Sequence, residues 1–255
     1  FDTGGRSAAK GINNLLDDLV GNGGKPRQVD TTPFTLGENL AATKGKVVFR
    51  NSLMELLQYS PTTRTAYETP ILCSPPWINK YYVMDLAPKR SFVEWAVTHD
   101  RTVFAISYRN PGPEQAHVTL DDYLVHGPRR ALDVVEDITG AQTIDVVGLC
   151  LGGAMTAITA AYLNAKGDSR VGTLTLLNTL LDYSDPGVLR VFTDRRAVER
   201  LEKQMAREGY LPGASMATSC ARWRTLPARG PAPAAASSPP TPWPWPARCS
   251  ASRRS

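Results

Sequence analysis

Cysteine is scarce: four in 255 residues, at positions 73, 150, 220 and 249, with no C-x-x-C pair. That excludes a disulfide scaffold, a zinc ribbon and a thioredoxin motif, and it fits a reducing, cytoplasmic compartment. The N-terminal residues lack the basic-then-apolar pattern of a secretory signal. Residues 146–165 form a 20-residue uncharged run, but Gly148, Gly152, Gly153, Thr156, Thr159 and Asn164 interrupt it. A buried strand–turn–helix is therefore expected there in place of a transmembrane segment.

A further set of absences marks the C-terminal end. Between positions 210 and 255 there is no Asp, Glu, Lys, Ile, Val, Asn or Gln, while six Arg, nine of the 20 Pro and three of the five Trp fall there. The net charge of +5 belongs to that stretch alone, because the 23 basic and 24 acidic residues of positions 1–209 leave −1. A basic balance that would suggest nucleic acid or anionic membrane is thus confined to the tail, and no nucleic-acid partner is expected. Ala, Pro, Arg, Ser, Trp and Cys without acids or Lys is what GC-rich DNA yields when read out of frame. Residues 217–255 are expected to be frameshifted or disordered, with PPTPWPWP as a genuine Pro-rich ligand or linker the alternative.

What is present before the tail reads as α/β. An amphipathic helix is predicted over residues 6–20, closed by the turn GNGGKP, and short strands near 46–50 and 56–59. The G-K of that turn is no phosphate loop, since Pro26 stands where Ser or Thr is required. Further on, the apolar run 70–73, helical spacing over 91–98 and a β-branched, aromatic strand at 102–108 follow. Residues 119–140 read as a helix broken at Gly127-Pro128, with Thr119 and Asp122 as a capping box and Gly140 as the stop. Strand 143–149, helix 152–165, strand 171–178 and a charged helix 188–209 complete the pattern. Alternating strands and helices with near-continuous apolar strands predict a parallel sheet with helices on both faces.

The segment carrying chemistry is D-V-V-G-L-C-L-G-G, from Asp145 to Gly153. A nucleophile elbow needs small residues two before and two after the nucleophile, because the strand turns sharply into a helix there. Gly148 and Gly152, with Gly153, supply that room around Cys150, and the helix N-terminus beneath it favours a thiolate. The plain alternative is a tight strand-to-helix turn holding a structural thiol.

The stretches PPWINKYYVMDL (75–86) and FAISYRNP (104–111) resemble signatures of the polyhydroxyalkanoate synthases, bacterial polyester polymerases. The Gly148–Gly153 elbow is similar to that family's lipase-like box with Cys in place of Ser. LDDY at 120–123, LLNTLLD at 176–182 and residues 34–59 also resemble family segments, in unbroken order over about residues 1–216. The resemblance implies residues 1–69 as the family's N-terminal region. It implies residues 70–216 as an α/β-hydrolase catalytic domain truncated before the C-terminal strands.

It further implies that Cys150 attacks the thioester of an (R)-3-hydroxyacyl-CoA, with the oxyanion held by the backbone N–H groups of Leu151 and Ile78. Asn79, Tyr81, Asp85, Arg109 and Asn110 are the other motif residues carried over. No metal and no organic cofactor is implied beyond the CoA of the substrate. The implied partners are the growing polyester chain and the surface of a cytoplasmic storage granule, with a homodimer at full length.

One part of the pattern is lacking. In an α/β-hydrolase the Asp and His of the triad follow the nucleophile, whereas His99, His117 and His126 all precede Cys150. Asp168, Asp182, Asp185 and Asp194 follow it but are expected to be solvated. Three readings stay open: a polyester synthase fragment; a thiol-nucleophile hydrolase of thioesterase or dienelactone-hydrolase type, which leaves 75–86 unexplained; and an inactive truncated product.

Overall fold

The computed structural model describes residues 4–21, 30, 32–185, 187, 194–213 and 215. Predicted features over 22–26, 188–193 and 217–255 lie outside the described residues. Helix α1 (Arg6–Gly21) carries its apolar side chains on one stripe, and Ile12, Leu15, Leu16 and Leu19 are exposed.

The strands of the main sheet are β1 (Lys46–Arg50), β2 (Met54–Tyr59), β3 (Ile71–Ser74), β6 (Val103–Tyr108), β7 (Ile144–Leu149) and β8 (Val171–Leu177). A hairpin of β4 (Asp85–Ala87) and β5 (Arg90–Ser91) stands apart from it. The main sheet runs β1-β2-β6-β3-β7-β8. Four neighbouring strands, β6, β3, β7 and β8, are parallel, as the apolar runs predict. Both β1 and β2 join antiparallel at one edge, extending the predicted parallel sheet. Three residues separate β1 from β2, too few for the crossover that parallel strands need. Asn51 closes that turn, its Oδ1 accepting from the N–H groups of Leu53 and Met54 at 2.8 Å.

Helices cover both faces. On one side, Leu132 and Val135 of α4 (Arg130–Thr139) and Leu163 of α5 (Leu151–Ala165) pack on Leu72, Phe104, Ile106 and Val146. On the other, Val93, Ala96 and Val97 of α2 (Phe92–Val97) pack on Cys73, Val103, Ala105 and Val147. With β3 buried along its whole length, full burial pushes the Cys73 thiol up to about 12, so Cys73 is an apolar packing residue.

The capping chemistry read from sequence is in place. Thr119 and Asp122 form the reciprocal box at the start of α3 (Leu120–Leu124), and Gly140 ends α4 in the left-handed region at φ +68°. Between α3 and α4, Gly127-Pro128 produces a π-type turn over Val125–Arg129, with Gly127 at φ −94°, ψ −112°. Within the described part of the predicted charged helix, Asp194 caps α6 (Arg195–Glu208), its side chain accepting from Ala197 N–H.

One ion cluster fastens α4 to the turn before β8. Arg170 donates to Asp133 and Glu136 at 2.9 Å and to Asp168 at 2.7 Å, and these contacts hold the Asp168 carboxyl below its ordinary pKa. Replacing Arg170 by Met removes the common partner of Asp133, Glu136 and Asp168, of which Asp133 keeps Arg129 and Arg130 within 4 Å, and a loss of about 1–3 kcal/mol in urea unfolding at pH 7 is expected. Because the folded pKa of Asp168 is depressed, this stabilisation is present above the unfolded-state pKa and lost as pH falls through the folded one. The difference between wild type and Arg170→Met therefore shrinks in acid.

Candidate active site

Leu149 ends β7 and Leu151 begins α5, so the chain reverses from strand to helix at the single residue Cys150. Its backbone sits at φ +54°, ψ −123°, a region that non-Gly residues reach only when the surroundings impose it. Those surroundings are visible. The Cys150 N–H donates to Leu177 O at 2.9 Å, and its carbonyl accepts from Gly153 N–H at 3.0 Å and Ala154 N–H at 3.2 Å. The last residue of β8 and the first turn of α5 thus hold the elbow, and Cys150 itself is exposed.

The glycines are explained by what a side chain would strike. A Cβ on Gly148 would lie 2.5 Å from Gly153 Cα and closer still to Thr156 Oγ1. On Gly152 it would lie 2.6 Å from both C and O of Pro75 and closer to Ser74 O. On Gly153 it would run into Thr179, whose Cγ2 is 2.9 Å away. Helix α5 is pressed against the loop leaving β3 on one side and against the segment leaving β8 on the other. Thr156 and Thr179 were not legible as part of the site, although Thr179 falls within LLNTLLD.

The packing of Gly152 sets the loop 75–79 beside the elbow. Pro75 and Pro76 have no N–H, and Asn79 donates its own to Pro76 O at 3.0 Å. Among the described residues this leaves the N–H groups of Trp77 and Ile78 without a recorded acceptor, and Ile78 is 55% exposed. Across the turn, Leu151 is the first residue of α5, where an N–H has no intrahelical acceptor. The elbow and this loop therefore bring free backbone donors to the same side of the sheet as the thiol.

The remaining motif residues separate into two groups. Lys80 Nζ donates to Asn110 Oδ1 at 2.8 Å, and Asn79 Oδ1 accepts from Lys80 N–H at 2.8 Å, which ties the loop to the end of β6. Arg109 pairs with Glu114 at 2.6 Å, and its N–H donates to Leu53 O. Asp85 is buried elsewhere: its Oδ1 accepts from Thr43 Oγ1 at 2.6 Å and its carbonyl from Ala41 N–H, so it fastens residues 41–43 to the β4–β5 hairpin. Tyr81 is partly buried against Tyr82, and burial pushes its phenol pKa up.

The carboxylates after Cys150 have local partners. Asp168 pairs with Arg170, Asp182 accepts from Ser184 N–H, Asp185 from Gly187 N–H, and Asp194 caps α6. His99 stacks on Trp95 with ring centroids 4.7 Å apart and bonds Trp95 O, while the His126 carbonyl accepts from Asn51. No group of three or more His, Cys, Asp or Glu is gathered as for a metal among the described residues.

A family model described as the poly-beta-hydroxybutyrate polymerase (PhaC) N-terminus matches residues 1–96, and the α/β-hydrolase fold model matches residues 73–243. The poly(3-hydroxyalkanoate) polymerase of Methylorubrum extorquens is 40% identical over 221 residues, covering 86% of this chain. The poly(3-hydroxyalkanoate) polymerase subunit of Cupriavidus necator is 42% identical over 226 residues, covering 89%.

The chain belongs to the poly(3-hydroxyalkanoate) polymerase family. It spans 36% and 37% of the lengths of those two polymerases. Among solved structures, an ester hydrolase from the Lake Arreo metagenome matches 72% of this chain and 56% of its own, at 19% identity and a TM-score of 0.44. Among the described residues, no helix is long and apolar enough to cross a membrane.

Proposed function

We propose that this chain carries the nucleophilic part of a polyester polymerase, with Cys150 as the acyl acceptor. The observation that carries the reading is the exposed thiol at φ +54° between β7 and α5, in a chain of this family. The Cys150 sulfur attacks the carbonyl carbon of an (R)-3-hydroxyacyl-CoA, and the carbonyl π pair moves onto oxygen. That oxyanion is held by the N–H groups of Leu151 and Ile78. Collapse expels CoA as thiolate, which takes up the proton lost by Cys150, and leaves an acyl-enzyme. The 3-hydroxyl of another unit then attacks the acyl group, forming an ester, and its proton returns to the Cys150 sulfur. Thiol to thiol exchange of the acyl group is close to isoenergetic, which suits a thiol nucleophile better than a hydroxyl.

The substrate, the growing polyester, the cytoplasmic granule surface and a homodimer are the partners this reading assigns to the whole protein. The second transfer needs a general base to deprotonate the incoming hydroxyl. In these 255 residues no His follows Cys150, so the polypeptide as it stands accepts an acyl group and goes no further. Incubated with 3-hydroxybutyryl-CoA, it is expected to show no sustained CoA release in a thiol-release assay. Sustained turnover that disappears on Cys150→Ser would overturn the block while supporting the nucleophile. Turnover that survives Cys150→Ser would overturn the reading itself.

A further inference from the structure

Asp85 is a motif residue that the reaction above does not use. It is 2% exposed, and only one of its carboxylate oxygens is bonded: Oδ1 accepts from Thr43 Oγ1 at 2.6 Å. The other, Oδ2, is buried and accepts from no protein group. Among the described residues, no Lys, Arg or His forms an ion pair with Asp85. Burying a carboxylate oxygen without a donor is costly.

Asp85 lines a cleft of about 470 Å³ whose walls are the segment 42–44, the stretch just after β2, the β4–β5 hairpin and the end of α2. None of these residues belongs to the elbow or to the loop 75–79, so the cleft is separate from the Cys150 site. Glu94 brings a second carboxylate to it, held in place by Lys89 N–H donating to its Oε2 at 2.6 Å. Lys44 is the one basic residue in the walls, and it is exposed. Two acids against one base favour a positively charged occupant. The volume is that of a small-molecule pocket and far exceeds a bare ion. A hard metal ion also needs six or more oxygen ligands, and no group of three or more His, Cys, Asp or Glu is gathered among the described residues. Ala42, Pro88 and Val97 add an apolar lining.

We infer that this cleft binds a small aliphatic ammonium compound. Its N–H donates to Asp85 Oδ2, and its hydrocarbon part lies against Ala42, Pro88 and Val97. A hydrogen bond between an ammonium and a carboxylate is about twice as strong as a neutral one, so the amine is selected over the alcohol of the same shape. A ligand held there joins the segment before β1 to the hairpin and to α2. This site is independent of the chemistry at Cys150.

The probe is n-butylammonium chloride, titrated to about 0.1 M into the 255-residue chain and followed by thermal melting, because a ligand of the folded state alone raises the melting temperature. Equal concentrations of NaCl, n-butanol and MgCl2 are the comparisons. Butylammonium is expected to raise the melting temperature by about 2–4 °C relative to NaCl, and neither butanol nor Mg²⁺ should do so. Asp85→Asn keeps an acceptor for Thr43 and removes the charge, and it should weaken butylammonium binding by at least about tenfold. Ala42→Leu puts a larger side chain into the cleft with Asp85 in place, and it should lose the response too; the test stands on this variant should Asp85→Asn not fold. No rise with butylammonium, or an equal rise in wild type and the variants, overturns the inference. A rise with Mg²⁺ in place of butylammonium identifies a bare-ion site and overturns it as well.

Discussion

Gly152→Ala is expected to destabilise the fold severely, by at least about 3 kcal/mol. The added methyl group would lie 2.6 Å from Pro75 C and O and closer to Ser74 O. These are backbone atoms at the buried root of the loop, where it leaves a strand hydrogen-bonded on both sides. Inserting a methyl group among movable core side chains costs about 1–3 kcal/mol. Here neither β3 nor the first turn of α5 can yield without breaking the ladder or the elbow, so at least about 3 kcal/mol is expected, against a total near 5–15 kcal/mol for a domain. Gly167 is the control: its φ of +76° strains any side chain, but nothing lies within 4 Å, and Gly167→Ala should cost about 1 kcal/mol. Soluble yield and urea midpoints measure both. A Gly152→Ala chain as stable as the Gly167→Ala chain would show that the elbow is not packed against the β3 loop.

Cys150→Ser is expected to lower acyl uptake from a 3-hydroxyacyl thioester by at least about a hundredfold while leaving the fold intact. A serine hydroxyl is a weak nucleophile unless an adjacent base activates it, whereas an appreciable fraction of a cysteine is thiolate near neutral pH. Serine has nearly the same shape, so the bonds from Cys150 N–H to Leu177 and from its carbonyl to Gly153 are kept. Cys73→Ser should leave acyl uptake unchanged, since burial keeps that thiol protonated at any working pH. Its cost falls on stability, because it places a hydroxyl in the apolar layer between β6 and β7.

The elbow was legible because its geometry demands particular residues at fixed offsets. Gly148, Cys150 and Gly152 are the sparse set that lets a strand turn into a helix in one residue. The caps at Thr119 and Gly140 were legible for the same reason. Pairing was not: periodicity identifies β1 and β2 as strands, but their antiparallel direction follows from a three-residue connection and an Asn51 side chain. The β4–β5 hairpin went unread because its turn carries Lys89 at φ +64°, where sequence patterns lead one to look for Gly or Asn. The start of α6 turned on which residue supplies a cap, and charge patterning alone does not separate Asp194 from its neighbours.

Cys150 is the residue that takes the acyl group in the proposed reaction. The most direct measurement is a peptide map of the 255-residue chain after incubation with 3-hydroxybutyryl-CoA, quenched in acid. The predicted result is a single 3-hydroxybutyryl group on the Cys150 peptide, matched by one equivalent of free CoA, with Cys73 unmodified. An acyl group found on any other residue at equal or greater occupancy, or a Cys150 that iodoacetamide alkylates but the thioester leaves untouched, would contradict it.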